Sequence, residues 1–171
     1  MRLRSLTGVL GLIMAAMSVM AVSTAWSADQ GPKLSLNITM QKEVRTQKEG
    51  KDTVELVTAD KVSPYDVVLY TIEYKNEGAG EARDAKIVDP IPRETAFIVG
   101  SAKGDGADIS FSVDGGKTYH RPPVKVTVTR EDGKKEEIDA PPESYTHIKW
   151  VITKRLQPGE TGKASFRATV K

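Results

Sequence analysis

The chain has 171 residues, with 25 basic against 23 acidic side chains, two histidines and no cysteine. The missing cysteines exclude thiol catalysis, iron–sulfur clusters, thiolate zinc sites and a disulfide scaffold. The near-balance of charge leaves no positive field to draw in nucleic acid or an anionic lipid surface.

Residues 1–28 read as a secretory signal peptide. Arg2 and Arg4 precede an uncharged, mostly apolar run from Leu6 to about Ala25, and small residues cluster at Ala25-Trp26-Ser27-Ala28. Cleavage after Ser27 puts small residues at both recognition positions. The rival is an uncleaved anchor, since the run approaches the ~20 residues of a membrane span. Cleavage removes Arg2 and Arg4 and leaves about 143 formally neutral residues, one domain in size. Neutrality gives little repulsion against self-association. The expected address is the periplasm, the outer surface or the medium, with membrane contact only through the leader.

After a loose start at Asp29–Lys33, Leu34, Leu36, Ile38 and Met40 alternate with Ser35, Asn37 and Thr39, the pattern of a half-buried strand. It either pairs within its own chain or leaves to add to the sheet of a neighbour. Gln41–Asp52 is charged around Gly50 and reads as a hairpin tip or a linker; Thr53–Thr58 is a short strand. Residues 29–60 thus form an N-terminal strand region ahead of a domain at 61–171.

From Val67 to Tyr74 the period of two is strict. Val68, Tyr70, Ile72 and Tyr74 are assigned to the core and Val67, Leu69, Thr71 and Glu73 to the opposite face. Asn76–Gly80 reverses the chain. Ala85–Val88 is extended, and Asp89-Pro90-Ile91-Pro92 stops it. Further extended runs are expected at Thr95–Val99, around Ile109, Phe111 and Val113, at Val124–Thr129 and Lys134–Ile138 about an Asp132-Gly133 turn, and at Tyr145–Thr153. Gly100–Gly106 reads as a flexible connection. A last strand carries Ala164, Phe166, Ala168 and Val170, and Trp150 and Phe166 join the expected core. Without helical periodicity after the leader, strands at eight- to twelve-residue spacing predict an all-β, Ig-like antiparallel β-sandwich of about seven to nine strands.

The octapeptide Ser112-Val-Asp-Gly-Gly-Lys-Thr-Tyr119 resembles the Asp-box of bacterial sialidases and related propellers, with Ser112, Asp114, Gly116, Thr118 and Tyr119 at the matching positions. That resemblance implies a hairpin shaped by the aspartate and no catalytic role; a single copy in a chain this short cannot build the blades of a propeller.

A longer resemblance rests on Val62-Ser-Pro-Tyr-Asp66, Leu69-Tyr-Thr-Ile-Glu-Tyr-Lys-Asn-Glu-Gly78, Ala85-Lys-Ile-Val-Asp-Pro-Ile-Pro92, Ala96–Ser101, Ile148-Lys-Trp150 and Leu156-Gln-Pro-Gly-Glu160. In this order they resemble the conserved-repeat domain of bacterial and archaeal envelope proteins, also catalogued as domain of unknown function eleven. The match spans roughly Lys61 to Lys171 and implies an Ig-like structural or adhesive module. A single copy and an insertion at 123–143 depart from the tandem stalks of that family and favour a small exported subunit.

Candidate chemistry is sparse. His120 and His147 sit beside Arg121 and Lys149 and read as surface histidines, not metal ligands. There is no Gly-x-Ser-x-Gly elbow, and Gly100–Gly106 opens no helix, so neither a serine hydrolase nor a phosphate loop is expected. Carboxylates lie in lysine-mixed, solvated runs. Asn76 or Asp89 linked to a lysine by an isopeptide bond is weaker than a turn and capping role for each. Gly104–Asp108 and Asp114 lack the oxygen spacing of a calcium loop. The chain therefore reads as a non-enzymatic module without a cofactor. It would contact other envelope proteins or itself through the edges at Leu34–Met40 and Val124–Thr129. The alternative is a carbohydrate- or ligand-binding sandwich with Tyr119 and Tyr145 as its platform.

Overall fold

In this computed structural model, residues 31–48 and 50–171 are described. The leader read from residues 1–28 lies outside them. Eleven strands follow in order: β1 (Leu34–Lys48), β2 (Lys51–Thr58), β3 (Val67–Asn76), β4 (Ala85–Pro90), β5 (Thr95–Phe97), β6 (Lys103–Gly104), β7 (Ala107–Ser112), β8 (Lys125–Thr129), β9 (Lys135–Asp139), β10 (His147–Ile152) and β11 (Thr161–Val170). The described residues hold one 3-10 turn, Pro142–Ser144, and no helix long and apolar enough to cross a membrane.

The strands make two antiparallel sheets. One runs β2-β1-β3-β11-β5, with β6 also on β11, and the other runs β4-β10-β7; β8 and β9 form a separate hairpin. The expected β-sandwich is what the residues build, because alternation gives each strand one apolar face and two such faces are hidden only by stacking. Val68, Tyr70, Ile72 and Tyr74 of β3 are buried, as are Ile148, Trp150 and Ile152 of β10 and Ala164, Phe166 and Ala168 of β11. Tyr70 stacks on Phe166 at 4.7 Å between ring centroids. The indole Nε1 of Trp150 donates to the Lys103 carbonyl at 3.0 Å, so the largest core side chain is not left with an unpaired donor.

Ring contacts show how the sheets lie on each other. Phe97 of β5 meets Phe111 of β7 at 5.2 Å, and Phe166 of β11 lies 6.3 Å from Trp150 of β10. With β7 over β5 and β10 over β11, the next strand of the upper sheet, β4, falls over β3.

The turn after β3 is held by Asn76, whose side chain is fully buried. Its carbonyl oxygen accepts from the backbone of Lys33 at 3.2 Å and Gly78 at 3.0 Å. Its amide donates to the carbonyls of Gly80 at 2.8 Å and Leu156 at 3.0 Å. One side chain thereby ties the approach to β1, its own turn and the β10–β11 connection. Gly78 is required by close approach: a Cβ there would lie 2.2 Å from the Gly31 carbonyl oxygen and 2.4 Å from the Lys33 nitrogen.

Several boundaries differ from the sequence reading. Of the two readings of residues 41–52 the hairpin is the one formed, with Gln41 opposite Thr58 and Lys48 opposite Lys51, and β1 runs on to Lys48. β4 continues through Pro90, which an edge strand tolerates because the absent N–H would face outward. β5 ends at Phe97, and the glycine-rich stretch after it contains the short β6.

Candidate interaction surface

β1 is where the sandwich is incomplete. Leu36, Ile38 and Met40 stand opposite Tyr74, Ile72 and Tyr70 of β3 and point to the same, inward side. Yet they remain 52%, 51% and 51% exposed, because no described strand of the upper sheet lies over β1. Leu34, at the start of the stripe, packs partly against the core.

The same residues carry an open backbone edge. In an antiparallel ladder alternate residues turn their N–H and C=O to opposite sides. The Lys33 carbonyl accepts from Glu77 on the β3 side, whereas the Met40 carbonyl accepts from Ala59 on the β2 side. Odd-numbered residues of β1 therefore bond β3, and Leu34, Leu36 and Ile38 direct both backbone groups to the other side. β2 pairs β1 only from Gln41 onward, so among the described residues that edge has no partner strand.

Beyond Lys42, which faces Val68 near the start of β3, β1 and β2 continue as a two-stranded arm paired only with each other. Thr46 and Thr53 hydroxyls meet across it at 2.9 Å, and Glu43 at its root is bound by Arg167 of β11. Val54 and Leu56 share the arm's outward face at 56% and 43% exposure. A ribbon of two strands is marginal by itself in water, so this arm is short of packing.

At the Met40 end the stripe runs into an apolar cleft of about 300 Å³ lined by Met40, Ala59, Val62, Val68, Tyr70 and Val170 among others. The turn beside it, Ser63-Pro64-Tyr65-Asp66, closes with Asp66 N–H on the Ser63 carbonyl at 3.1 Å. Tyr65 takes φ +73° at its third position, where glycine is usual, and its side chain is 85% exposed. The sequence reading met Tyr65 only inside the Val62–Asp66 motif of the family resemblance, and gave neither it nor the arm a contact role. The usable signals were the apolar residues Val54, Leu56 and Val57 and a proline followed by a bulky residue in turn context.

The other edge named from the sequence, Val124–Thr129, is less apolar. Val124 is buried, Lys125, Thr127 and Thr129 are exposed, and Lys125–Asp139 and Arg130–Glu136 ion pairs decorate the hairpin.

The Ser112–Tyr119 segment forms a tight loop around one carboxylate. Asp114 accepts from the Ser112 hydroxyl at 2.7 Å, from the backbone of Lys117 and Thr118 at 3.0 Å each, and from the Thr118 hydroxyl at 2.6 Å. Ser112 Oγ accepts in turn from Gly116 N–H at 2.9 Å. These bonds, chiefly those from Thr118, hold the Asp114 carboxyl well below the usual carboxylate range. Every acceptor contact is used to shape the loop, as the resemblance implied.

Other candidates separate. Tyr119 is half-buried with the Lys149 ammonium 4.2 Å from its ring centre. Tyr145 is buried against Phe97 and Phe111, so the two tyrosines do not form the exposed platform expected of them: Tyr145 closes the core. His120 is exposed beside Thr118 Oγ1 at 3.2 Å, and His147 lies in an open cleft of about 520 Å³ with Arg93, Glu143 and Lys171. Among the described residues no group of three or more His, Asp or Glu is placed to hold a metal. Asn76 is bonded to backbone at all four positions. Asp89 is raised above the usual carboxylate range by its burial, with His147 acting in the opposite direction. Asn76 thus has the turn role expected of it, whereas Asp89 does not cap the amide after Pro90: the Ile91 N–H goes to the Thr146 carbonyl at 2.8 Å. Comparison with family models, with curated proteins and with solved structures finds no match to this chain.

Proposed function

We propose that this chain is an exported, non-catalytic Ig-like module that acts through protein contacts along open strand edges, in the cell envelope or in an extracellular assembly. The observation that carries the reading is the coincidence on Leu34–Ile38 of exposed apolar side chains with backbone groups that no described strand satisfies. Such an edge is normally blunted by charge, proline or a covering loop; Leu34–Ile38 holds no charged residue and no proline, and no described strand covers its outer side. The signal-peptide pattern of residues 1–28 and the resemblance to the conserved-repeat envelope domain support the same assignment. Its partners are other envelope proteins or a further copy of the chain, with neither nucleic acid nor a cofactor called for by the charge or the side chains. The carbohydrate-binding alternative keeps only Tyr119, since Tyr145 is buried.

A photo-crosslinking residue at Leu36, compared with one at Lys117, tests the reading in living cells. Discrete protein adducts at position 36 and none at 117, on a chain whose N-terminus is Ala28, are expected. A chain retained in the cytoplasm with its leader intact, or no protein adduct at position 36, refutes it. Glycan binding abolished by Tyr119→Ala would instead select the carbohydrate reading.

A further inference from the structure

The proposed function leaves the partner open; the strand geometry points to one. We infer that the β1–β2 arm of a second copy of this chain pairs, edge to edge and antiparallel, with Leu34–Ile38 of β1. This rests on the strand-edge reading above and adds the identity of the occupant.

The arm has the matching half of the surface. β2 lies at the end of its sheet, so among the described residues one side of it is unpaired. The Ala59 N–H turns toward β1, and so do the odd-numbered residues before it, whose partners are Lys42, Val44, Thr46 and Lys48. The even-numbered residues Val54 and Leu56 therefore direct their backbone groups outward, as Leu34, Leu36 and Ile38 do. Open groups on two strands meet directly opposite each other only in an antiparallel pair, and opposite residues then point to the same face. Val54 and Leu56 of the incoming arm would thus extend the apolar stripe beside Leu36 and Leu34.

The register follows from the obstacles. Ala59 occupies the edge opposite Met40, so the incoming strand must end there. Setting Val54 opposite Leu36 brings the tight turn at Gly50 to that end and lets the arm leave past Leu34, where the edge is open. On the other face this register sets Thr53 opposite Asn37 and Glu55 opposite Ser35. Ser35 neighbours Lys75 across the β1–β3 ladder and Lys33 is two residues along the same face, so Glu55 arrives between two cations. Two β1 edges pairing with each other about a two-fold axis would instead drive each Ala59 against the partner strand near Pro32.

Donor and acceptor are different surfaces, so the contact is heterologous. Each copy that accepts an arm still presents its own, and the assembly grows head to tail unless its rotation closes a ring. The formal neutrality of the chain after loss of Arg2 and Arg4 does not oppose this.

The chain has no cysteine, so single cysteines report contacts without background. Leu36→Cys and Val54→Cys proteins, purified separately and mixed under mild oxidation, should give the 36–54 heterodimer, because opposed residues of a bonded pair lie about 5.5 Å apart, within disulfide reach. Val99→Cys with Val54→Cys should not. A chain carrying both Leu36→Cys and Val54→Cys should give a ladder of oligomers. In sedimentation, Val54→Asp should weaken self-association by roughly threefold or more, since it replaces the apolar Leu36–Val54 cross-strand pair with a carboxylate set against Leu36, while leaving the fold intact because Val54 is exposed in the single chain. Ile38→Pro, which removes an N–H that faces away from β3, should do the same. A chain that stays monomeric at every concentration, a dominant 36–36 crosslink, or Val54→Asp associating like the parent overturns the inference. If adducts at position 36 persist in cells while the pure chain is monomeric, the strand-edge function stands and this occupant is wrong.

Discussion

Ile38 and Ile72 are the same residue type, stand directly opposite each other in the β1–β3 ladder and point to the same side of the same sheet. Ile72 is completely buried and Ile38 is half exposed. Nothing local separates them: both belong to strict alternations flanked by polar residues. The difference is one layer away. β4, β10 and β7 cover β3, β11 and β5, and the upper sheet stops one strand before β1. An apolar face that would be core anywhere else in this sandwich becomes a surface, and with it goes an edge of unspent hydrogen-bonding capacity.

The largest expected effect breaks this comparison directly. Ile72→Ala should destabilise by about 2–5 kcal/mol, the range for truncating a buried aliphatic side chain, whereas Ile38→Ala should cost the single chain less than about 1 kcal/mol, since half of its surface is already in water. Denaturant unfolding at low protein concentration measures both. Near-equal losses would mean that β1 is covered in solution even at that dilution.

A smaller effect contrasts two carboxylates on the closed half. Asp114 is held below its ordinary value of 3.8, so its contribution to stability is present above that value and is lost as pH falls through the acid range. Asp89 is raised by burial, so it acts in the opposite sense and weighs against the fold at neutral pH. Thermal midpoints recorded from neutral pH down to about pH 3 should show Asp114→Asn lower at neutral pH and flatter on acidification. Asp89→Asn should be more stable than the parent at neutral pH. A parallel response of the two variants would remove this assignment.

The smallest effect concerns two turns of one kind. Gln157-Pro-Gly-Glu160 and Ser63-Pro-Tyr-Asp66 both close between their first and last residues, and Gly159 and Tyr65 take φ +79° and +73°. Tyrosine in that conformation costs about 1–2 kcal/mol, partly offset by the extra chain entropy glycine loses on folding. Tyr65→Gly should therefore leave stability unchanged or raise it by up to about 1 kcal/mol. If the same change weakens oligomers or cellular adducts, the tyrosine is held at that turn for contact and not for folding.

Much of the fold was legible because alternation is a local property. Val68 to Tyr74 fixes an inward face whatever lies above it, and the burial of Tyr70, Ile72, Tyr74, Trp150 and Phe166 followed. The Asp114 loop was legible for a similar reason: a carboxylate with hydroxyls at fixed offsets folds the chain onto itself. Tyr145 was misplaced because an aromatic beside prolines and a glutamate looks like a loop residue, and only the meeting of Phe97 with Phe111 supplies the pocket that takes its ring. The arm was ambiguous because charged residues around Gly50 suit a linker as well as a hairpin tip.

The amino-acid order alone determined which residues alternate, where the chain must turn and which chemistries are impossible without thiols. It could not decide that Leu36, Ile38 and Met40 would remain partly in water, since burial depends on whether another layer arrives, and that is set by how many strands each sheet receives. The placement of the open edge was likewise a tertiary outcome: β2 pairs with only the far half of β1, and among the described residues the outward backbone groups of Leu34, Leu36 and Ile38 have no partner strand.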